Sequence, residues 1–158
     1  MIDLVPMTER DFQTYCERAI TEYAEEHIRG GRWSEEEAYE QARQQYEELL
    51  PHGIATPNQF LYTLTDASTQ TPVGMIWFAL QPQAGKHVAF IYDVAIEPAF
   101  RRKGYATQAF AAVEQQVRAQ GVQQIRLHVF GHNHEARTLY EKLGFVPTNI
   151  TMAKSLDP

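Results

Sequence analysis

The spacing of apolar and polar residues changes along the chain. Residues 2–5 alternate and predict a short first strand. Apolar side chains then recur at helical spacing over two segments. We expect a helix that begins near Thr8 and stops at Gly30, because a hydroxyl suits a helix start and a glycine an end. A second helix is expected between Ser34, as its N-cap, and Pro51.

Strand-like patterns dominate the rest of the chain. Strands are predicted at residues 59–64, 73–80, 87–96 and 124–130, and within 149–155. Helices are predicted at 105–120 and at 135–143, the latter ended by Gly144 in a left-handed conformation. The polar turn between the first two of these strands predicts a hairpin. The strand–helix–strand segment predicts a parallel pair and hence a mixed sheet.

This order of elements predicts one α/β (α+β) domain that spans residues 1–158. A chain of 158 residues fits a single hydrophobic core. The segments show no repeat, low-complexity stretch or linker that would divide them.

The amino-acid composition argues against several classes of function. A net charge of −6 argues against a nucleic-acid partner, which requires a basic face. No apolar run is long enough to cross a bilayer, and the start lacks the features of a signal peptide, so we expect a cytoplasmic protein with no membrane partner. Cys16 is the only cysteine and lies on an apolar helical face, which favours a packing role.

Charge is unevenly distributed. Acidic residues crowd the first third of the chain, while Arg101, Arg102 and Lys103 form a basic cluster beside Gly104. Such a protein could hold a cationic substrate together with an anionic cofactor.

The basic cluster lies where a strand gives way to a helix. That strand ends at Pro98, and the next helix begins near Gly104. Backbone N–H groups at a helix start lack internal partners and attract anions, and a glycine lets a phosphate approach the backbone. Taken alone, the pattern would also fit an ordinary solvated turn.

Two segments together resemble the GNAT superfamily of acetyltransferases. Arg101, Gly104 and Ala106 are similar to its acetyl-coenzyme A signature, and Ile96-Glu97-Pro98 supplies the preceding strand end. The second segment begins at Asn133 and resembles the family pattern Asn-x-x-Ala-x-x-Leu-Tyr-x-x-x-Gly-Phe. The resemblance covers roughly residues 89–147.

The resemblance implies a GNAT-like fold with a mixed sheet of about six to seven strands and about four helices. It also implies transfer of the acetyl group of acetyl-coenzyme A directly to an amine of a small molecule or peptide. A bulge in the strand at 92–96 would expose backbone N–H groups. The implied cofactor-binding residues are Val94, Ala95, Ile96, Arg101, Arg102, Lys103, Gly104, Tyr105, Ala106, Asn133 and Tyr140.

The resemblance further implies two catalytic residues. Tyr140 would be the general acid for the leaving thiolate. Many relatives carry an acidic pair in the fourth strand, where this chain has Tyr92 and keeps only Asp93. Asp93 is therefore a base, a structural acceptor or neither. If strand alternation holds, the Tyr92 and Asp93 side chains face opposite sides of the sheet, and a bulge could alter that. Glu26 is an alternative base.

Other functions stay open at this point. The chain could be a sensor that binds an acyl-coenzyme A without turnover, or an acetyltransferase for protein N-termini or lysines. The sequence does not fix the oligomeric state, and a homodimer is one option. We expect no metal site, because His128, His132 and His134 lack a completing acidic or cysteine ligand.

Overall fold

The structure is a computed structural model that describes residues 1–157. Its strands are β1 (Ile2–Pro6), β2 (Gln59–Asp66), β3 (Thr71–Gln83), β4 (Lys86–Ile96) and β5 (Gln124–Leu127). Its α-helices are α1 (Glu9–Arg29), α2 (Glu35–Leu49), α3 (Tyr105–Arg118) and α4 (His134–Lys142). The predicted order of helices and strands is thus confirmed up to α4.

The two N-terminal helices begin at polar caps, as their sequences predict. The Thr8 side-chain oxygen accepts a hydrogen bond from the Asp11 backbone N–H at 3.1 Å, which satisfies one orphan donor of α1. At the start of α2, the Glu37 carboxylate accepts from the Ser34 backbone N–H at 3.4 Å. Buried Ala24, Ala38 and Ala42 lie in a cluster shared by the two helices. Such small side chains allow the helix backbones to approach closely.

The five strands form one sheet in the order β1-β2-β3-β4-β5. Neighbours from β1 to β4 pair antiparallel, and β2 and β3 form the predicted hairpin. β4 and β5 pair parallel because α3 returns the chain to the starting end of the sheet. The mixed sheet expected from the strand–helix–strand segment is therefore confirmed.

The sheet has fewer strands than the six to seven expected. Residues 149–155 were expected to hold a strand, but they form neither strand nor helix. A strand is stabilised by a hydrogen-bonded partner and by burial of alternate side chains. Ile150 and Met152 are 72% and 88% exposed, so the alternation of apolar residues in this segment buries no face.

The first unit of the chain, Met1–Leu127, holds the sheet and three of these helices. One face of the sheet packs on α1, where Tyr15 meets Met75 and Trp77 in a buried cluster. α3 covers the opposite face, and its Gln116 amide donates to the Tyr62 hydroxyl at 2.7 Å. Successive side chains of β2 and β3 point to opposite faces of the sheet, so these strands contribute side chains both to the face covered by α1 and to the face covered by α3.

The second unit, His128–Pro158, contains α4. The expectation of a single domain over residues 1–158 stays a prediction. Within residues 1–157, none of the helices is long and apolar enough to cross a membrane.

Gly74 marks the closest approach between β3 and β4. It pairs with Ile96, and a Cβ built on it would lie 2.2 Å from the Ala95 carbonyl oxygen. Such a contact is far inside van der Waals distance, so only a residue without a side chain fits there. The absent side chain allows the end of β4 to lie tightly against β3.

Gly74→Ala should therefore lower the free energy of unfolding by about 1–3 kcal/mol, the usual cost of overpacking. Denaturant unfolding of purified protein would measure it. Gly131→Ala is the matched control, because nothing lies within 4 Å of a Cβ built at Gly131. If the two variants are equally stable, the close approach at Gly74 is wrong.

Candidate functional site

The end of β4 has one unpaired edge. β4 pairs with β3 as far as Ile96, but its pairing with β5 covers only Val88 to Ile91. Residues 92–96 are partly buried and extend beyond β5, which ends at Leu127. Their backbone groups on that edge are not used in pairing with β5.

The pairing of β3 with β4 shifts register at the start of this free edge. Trp77 pairs with Asp93 and Phe78 with Ile91, so Tyr92 is an extra residue in β4. This is a β-bulge, which was expected in this strand. Regular alternation would place Tyr92 and Asp93 on opposite faces, and the bulge alters this, which was the alternative expectation. The extra residue cancels one step of the alternation, so both side chains lie on the α1 face.

Asp93 is tied to α1 by a buried tyrosine. The Tyr15 hydroxyl donates a hydrogen bond to Asp93 Oδ2 at 2.7 Å, and Tyr15 is only 5% exposed. Burial raises the pKa of the Asp93 carboxyl above its usual value, while the Tyr15 hydroxyl, the Val94 N–H and Arg18 act in the opposite direction. Burial, and after it the charge of Asp93, raises the pKa of Tyr15 well above its usual value. The Tyr15 hydroxyl therefore keeps its proton and acts as the donor.

Tyr92 is held by neighbours on β3. Its ring stacks on Trp77 with centroids 4.6 Å apart, and its hydroxyl accepts from the Gln81 amide at 3.0 Å. The position that is acidic in many relatives thus carries a fixed aromatic ring in this protein.

The turn between β4 and α3 has the backbone of an anion site. Arg102 and Gly104 both have left-handed backbones, with φ of 63° and 82°. α3 begins at Tyr105, so the first N–H groups of the helix follow directly on Gly104. A Cβ at Gly104 would meet only the Gln108 Nε2, at 4.0 Å, so the space over this backbone is open.

The three basic side chains of this turn are exposed and differ in their contacts. The Arg101 Nε donates to the Ile96 carbonyl at 2.9 Å, which ties the turn to the end of β4. The Lys103 Nζ lies 5.8 Å from the centroid of the Phe100 ring, at cation–π distance. Arg102 is exposed beside them. The turn therefore keeps its positive charge next to the open backbone of Gly104.

Tyr105 anchors the start of α3 to the β2–β3 hairpin. Its hydroxyl donates to Asp66 Oδ2 at 2.6 Å. Asp66 also accepts from the Ser68 N–H and hydroxyl within its own turn, and together these bonds hold the pKa of Asp66 far below its usual value. The hydroxyl of Tyr105 is thus engaged within the protein, which leaves its backbone N–H as the group that could meet a ligand. Ala106 follows in the first turn of α3, partly buried.

The second unit contains the other predicted site residues. The Asn133 side chain caps α4 by accepting from the Ala136 N–H at 3.2 Å. Tyr140 is partly buried in α4, and its ring meets that of Phe145 at 5.8 Å. Gly144 ends this segment with a φ of 96°, as its left-handed role requires.

Two residues of the first unit were not predicted as site residues. Tyr15 lies on the apolar face of its helix in the sequence, and no local pattern indicates its bond to a residue 78 positions away. The Gln108 Oε1 is buried and has no hydrogen-bond partner within residues 1–157. Its spacing of four residues from Gly104 was the one available sequence signal, because such residues share a helix face.

The arrangement of side chains also bears on metal binding. Among the described residues, no three His, Cys, Asp or Glu side chains come together as ligands for an ion.

Comparison with known proteins places these features in a family. The sequence model of the acetyltransferase (GNAT) family matches residues 16–145. YycN of Bacillus subtilis, an uncharacterized N-acetyltransferase, is 39% identical over 155 residues, which cover 98% of this chain and 99% of YycN. YdgE of the same organism, also an uncharacterized N-acetyltransferase, is 35% identical over 97% of each chain.

Solved structures agree with this assignment. The crystal structure of YycN superposes with a TM-score of 0.89 and covers 99% of both chains. An acetyltransferase structure from Pyrococcus furiosus superposes with a TM-score of 0.70 over 99% of this chain. Its identity is 21%, so this second similarity concerns the fold alone.

Proposed function

Since this chain belongs to the acetyltransferase (GNAT) family, we propose that it transfers the acetyl group of acetyl-coenzyme A directly to an amine. The acceptor would be a small molecule or a peptide. One observation carries the proposal: the bulged, unpaired edge of β4 leads within a few residues to the open, left-handed Gly104 at the start of α3. A thioester and a pyrophosphate need these two kinds of binding group.

The residues present fit acetyl-coenzyme A. Gly104 leaves the backbone open where a side chain would block a phosphate, and the basic turn supplies positive charge. Arg102 and Lys103 are exposed and directly precede Gly104. The orphaned Gln108 Oε1 would accept a hydrogen bond from a ligand N–H or O–H.

Acetyl-coenzyme A, when bound, supplies the acetyl group as an activated thioester. The backbone N–H groups of Val94 and Ile96 are the candidates to orient it and to stabilise charge on the thioester oxygen, because the Glu97 N–H donates to β3 and alternation directs those of Val94 and Ile96 to the other edge. Ala95, between them, is a further candidate cofactor contact. Such preorganised donors contribute about 3 kcal/mol each in acyl-transfer sites. Arg101 supports this role indirectly, because its Nε donates a hydrogen bond to the Ile96 carbonyl and thereby fixes the turn.

Asp93 is the candidate general base. A carboxylate with a raised pKa accepts a proton more readily, and burial acts in that direction here. Its side chain projects from the bulge toward α1, on the same face as Tyr92. It would accept the amine proton, through a water molecule where the acceptor does not reach the carboxylate.

Tyr140 is the candidate general acid. A phenol with a pKa near 10 can give its proton to a leaving thiolate of similar basicity. The family pattern that begins at the α4 cap, Asn133, contains this tyrosine.

A second candidate function is acyl-coenzyme A sensing without turnover. It is favoured by Tyr92, which puts a stacked ring where many relatives carry an acidic residue. The two functions share the cofactor site and differ only in whether an amine is acetylated.

A thiol-release assay with acetyl-coenzyme A and a panel of amines, peptides and alcohols separates them. We expect free coenzyme A to appear at enzyme-dependent rates with at least one amine, and mass spectrometry of that amine to show one added acetyl group. Binding of acetyl-coenzyme A with no acetylated product from any acceptor would favour the sensor.

Gly104→Glu should abolish acetyl-coenzyme A binding, because the side chain fills the phosphate approach and adds negative charge. Calorimetric titration measures the affinity. The matched control is Gly121→Glu, since Gly121 lies just beyond the other end of α3 with the same φ of 82°. The control should bind as the wild type does, and near wild-type affinity in folded Gly104→Glu would rule out this site.

Tyr140→Phe should lower kcat at least about tenfold, since it removes the proton donor and keeps the ring. The affinity for acetyl-coenzyme A should change little. Steady-state kinetics over a pH series measures both effects, and Tyr39→Phe, a 51% exposed tyrosine of α2, is the control. An unchanged kcat at every pH would refute the acid role.

We expect the acceptor to be a cationic amine. Six glutamates of α1 and α2 carry the acidic surplus, and all six are exposed: Glu22, Glu25, Glu26, Glu35, Glu36 and Glu37. A negative surface concentrates cations, and salt screens the effect. For a cationic amine, kcat/KM should therefore fall as salt rises from about 0.05 to 0.5 M, where the Debye length shrinks severalfold. A preference for neutral or anionic acceptors would contradict this.

A further inference from the structure

Tyr15 on α1 donates a hydrogen bond to Asp93, the carboxylate at the β4 bulge. Its hydroxyl is 2.7 Å from Asp93 Oδ2, and the bond joins residues 78 positions apart in the sequence. Three positions further along α1, the Arg18 guanidinium is 3.1 Å from the Glu97 carboxylate. α1 is thus attached near both ends of the segment 93–97, which carries the free edge of β4.

We propose that Tyr15 is a positioning residue that acts through Asp93: its hydroxyl holds the carboxylate at the bulge and determines how readily it takes up a proton. This inference rests on the proposed function, since Asp93 is there the general base. The arrangement suits that role because a carboxylate has about four acceptor positions. The Tyr15 hydroxyl occupies one of them, which leaves capacity for a water or an amine.

The hydrogen bond from Tyr15 to Asp93 does more than hold α1 against the sheet, because its strength depends on the charge of Asp93. A hydroxyl that donates to a carboxylate stabilises the ionised form, and loss of that donor raises the carboxyl pKa. Tyr15 is buried among Met75 and Trp77 beneath the sheet, so no solvent competes strongly for its hydroxyl. The proton affinity of Asp93 is then a balance between burial, which raises it, and this donor, which lowers it.

Other ionisable groups around Asp93 come from each element packed against it. From α1, Arg18 lowers and Glu26 raises the Asp93 pKa. From α2, Tyr46 lies close enough that the charge of Asp93, after burial, raises the Tyr46 pKa. Burial raises the pKa of the Cys16 thiol to about 11, so that thiol stays neutral. Burial also raises the pKa values of Tyr15 and Tyr46, which keeps both neutral at neutral pH. The opposing effects on Asp93 therefore come from Arg18 and Glu26.

Tyr15→Phe tests the proposal because it deletes one hydroxyl and keeps the ring. A hydrogen bond to a charged group corresponds to roughly one pKa unit. We expect the acid limb of the kcat/KM profile, measured with the best amine acceptor, to move about one unit to higher pH. The affinity for acetyl-coenzyme A should stay within about twofold, since the cofactor residues are untouched.

Tyr23→Phe is the matched control. Tyr23 also lies on α1, and its hydroxyl donates to Gln45 Oε1 at the same 2.7 Å, but it does not contact Asp93. Both variants lose one tyrosine hydrogen bond between elements, so both should lose some thermal stability. Only Tyr15→Phe should move the acid limb. If both variants leave the limb in place, Tyr15 is merely a structural contact and the proposal fails.

A direct measurement removes the dependence on turnover. Carbon-13 NMR of aspartate-labelled protein, assigned with Asp93→Asn, follows the Asp93 carboxyl through its titration. Its pKa should rise in Tyr15→Phe and fall when 3,5-difluorotyrosine, a stronger donor, replaces Tyr15. The difluorotyrosine replacement also tests the proposal if Tyr15→Phe does not fold. An Asp93 pKa that is unchanged by difluorotyrosine overturns the proposal.

These experiments keep two failures apart. If the wild type acetylates no amine, the proposed function fails, while the NMR titration still tests the effect of Tyr15 on Asp93. If the wild type acetylates an amine and Asp93→Asn keeps full activity at every pH, the function stands. In that case the inference falls, because Tyr15 would have no base to position.

Discussion

The extra residue in β4 is the feature on which the rest of the site depends. With Tyr92 inserted, the strand keeps its pairing with β3 on both sides of the bulge while its side chains change phase. Asp93 is thereby placed toward α1, and Val94 to Ile96 continue as an edge that β5 does not cover. If Tyr92 were regularly paired with β3 instead of bulged, alternation would place Asp93 on the α3 face, away from Tyr15.

The surrounding contacts hold this segment in place from several directions. Gly74 allows β3 to lie against the Ala95 carbonyl, and Arg101 accounts for the Ile96 carbonyl. On the helix side, Tyr105 ties the start of α3 to the hairpin at Asp66. The proposed orientation of a thioester here would benefit from such support, since small displacements of reacting groups cost much of the rate. The backbone of the site is therefore fixed largely by residues that would not themselves touch a substrate.

Much of the fold follows from local sequence patterns. Thr8 and Asn133 cap helices as their residue types predict, and the left-handed Gly144 ends the α4 segment. Gly104, in the recognised cofactor motif, has the left-handed, open backbone that the motif requires. These features depend on interactions within a few residues, so a single sequence contains their signal. The family patterns then supply what such local rules lack, namely roles for Val94 to Ile96 and for Tyr140.

What could not be predicted depends on contacts between distant residues. The expected strand at 149–155 is missing because pairing, which the sequence pattern does not report, decides whether alternating residues form a strand. The same limit applies to the bulge, whose position is fixed by register with β3, and to Tyr15. In the sequence Tyr15 is one of several apolar residues on a helix face, and only the fold brings its hydroxyl to Asp93.

The free edge of β4 also bears on self-association. Unpaired strand edges can recruit a strand from another chain, and proteins commonly limit this with short, twisted or bulged edges. Here the exposed edge spans only residues 92–96 and begins at a bulge, which increases local twist. A flat strand from a second molecule would find few backbone groups in register along it. The irregularity that leaves this edge unpaired thus also discourages β-sheet aggregation.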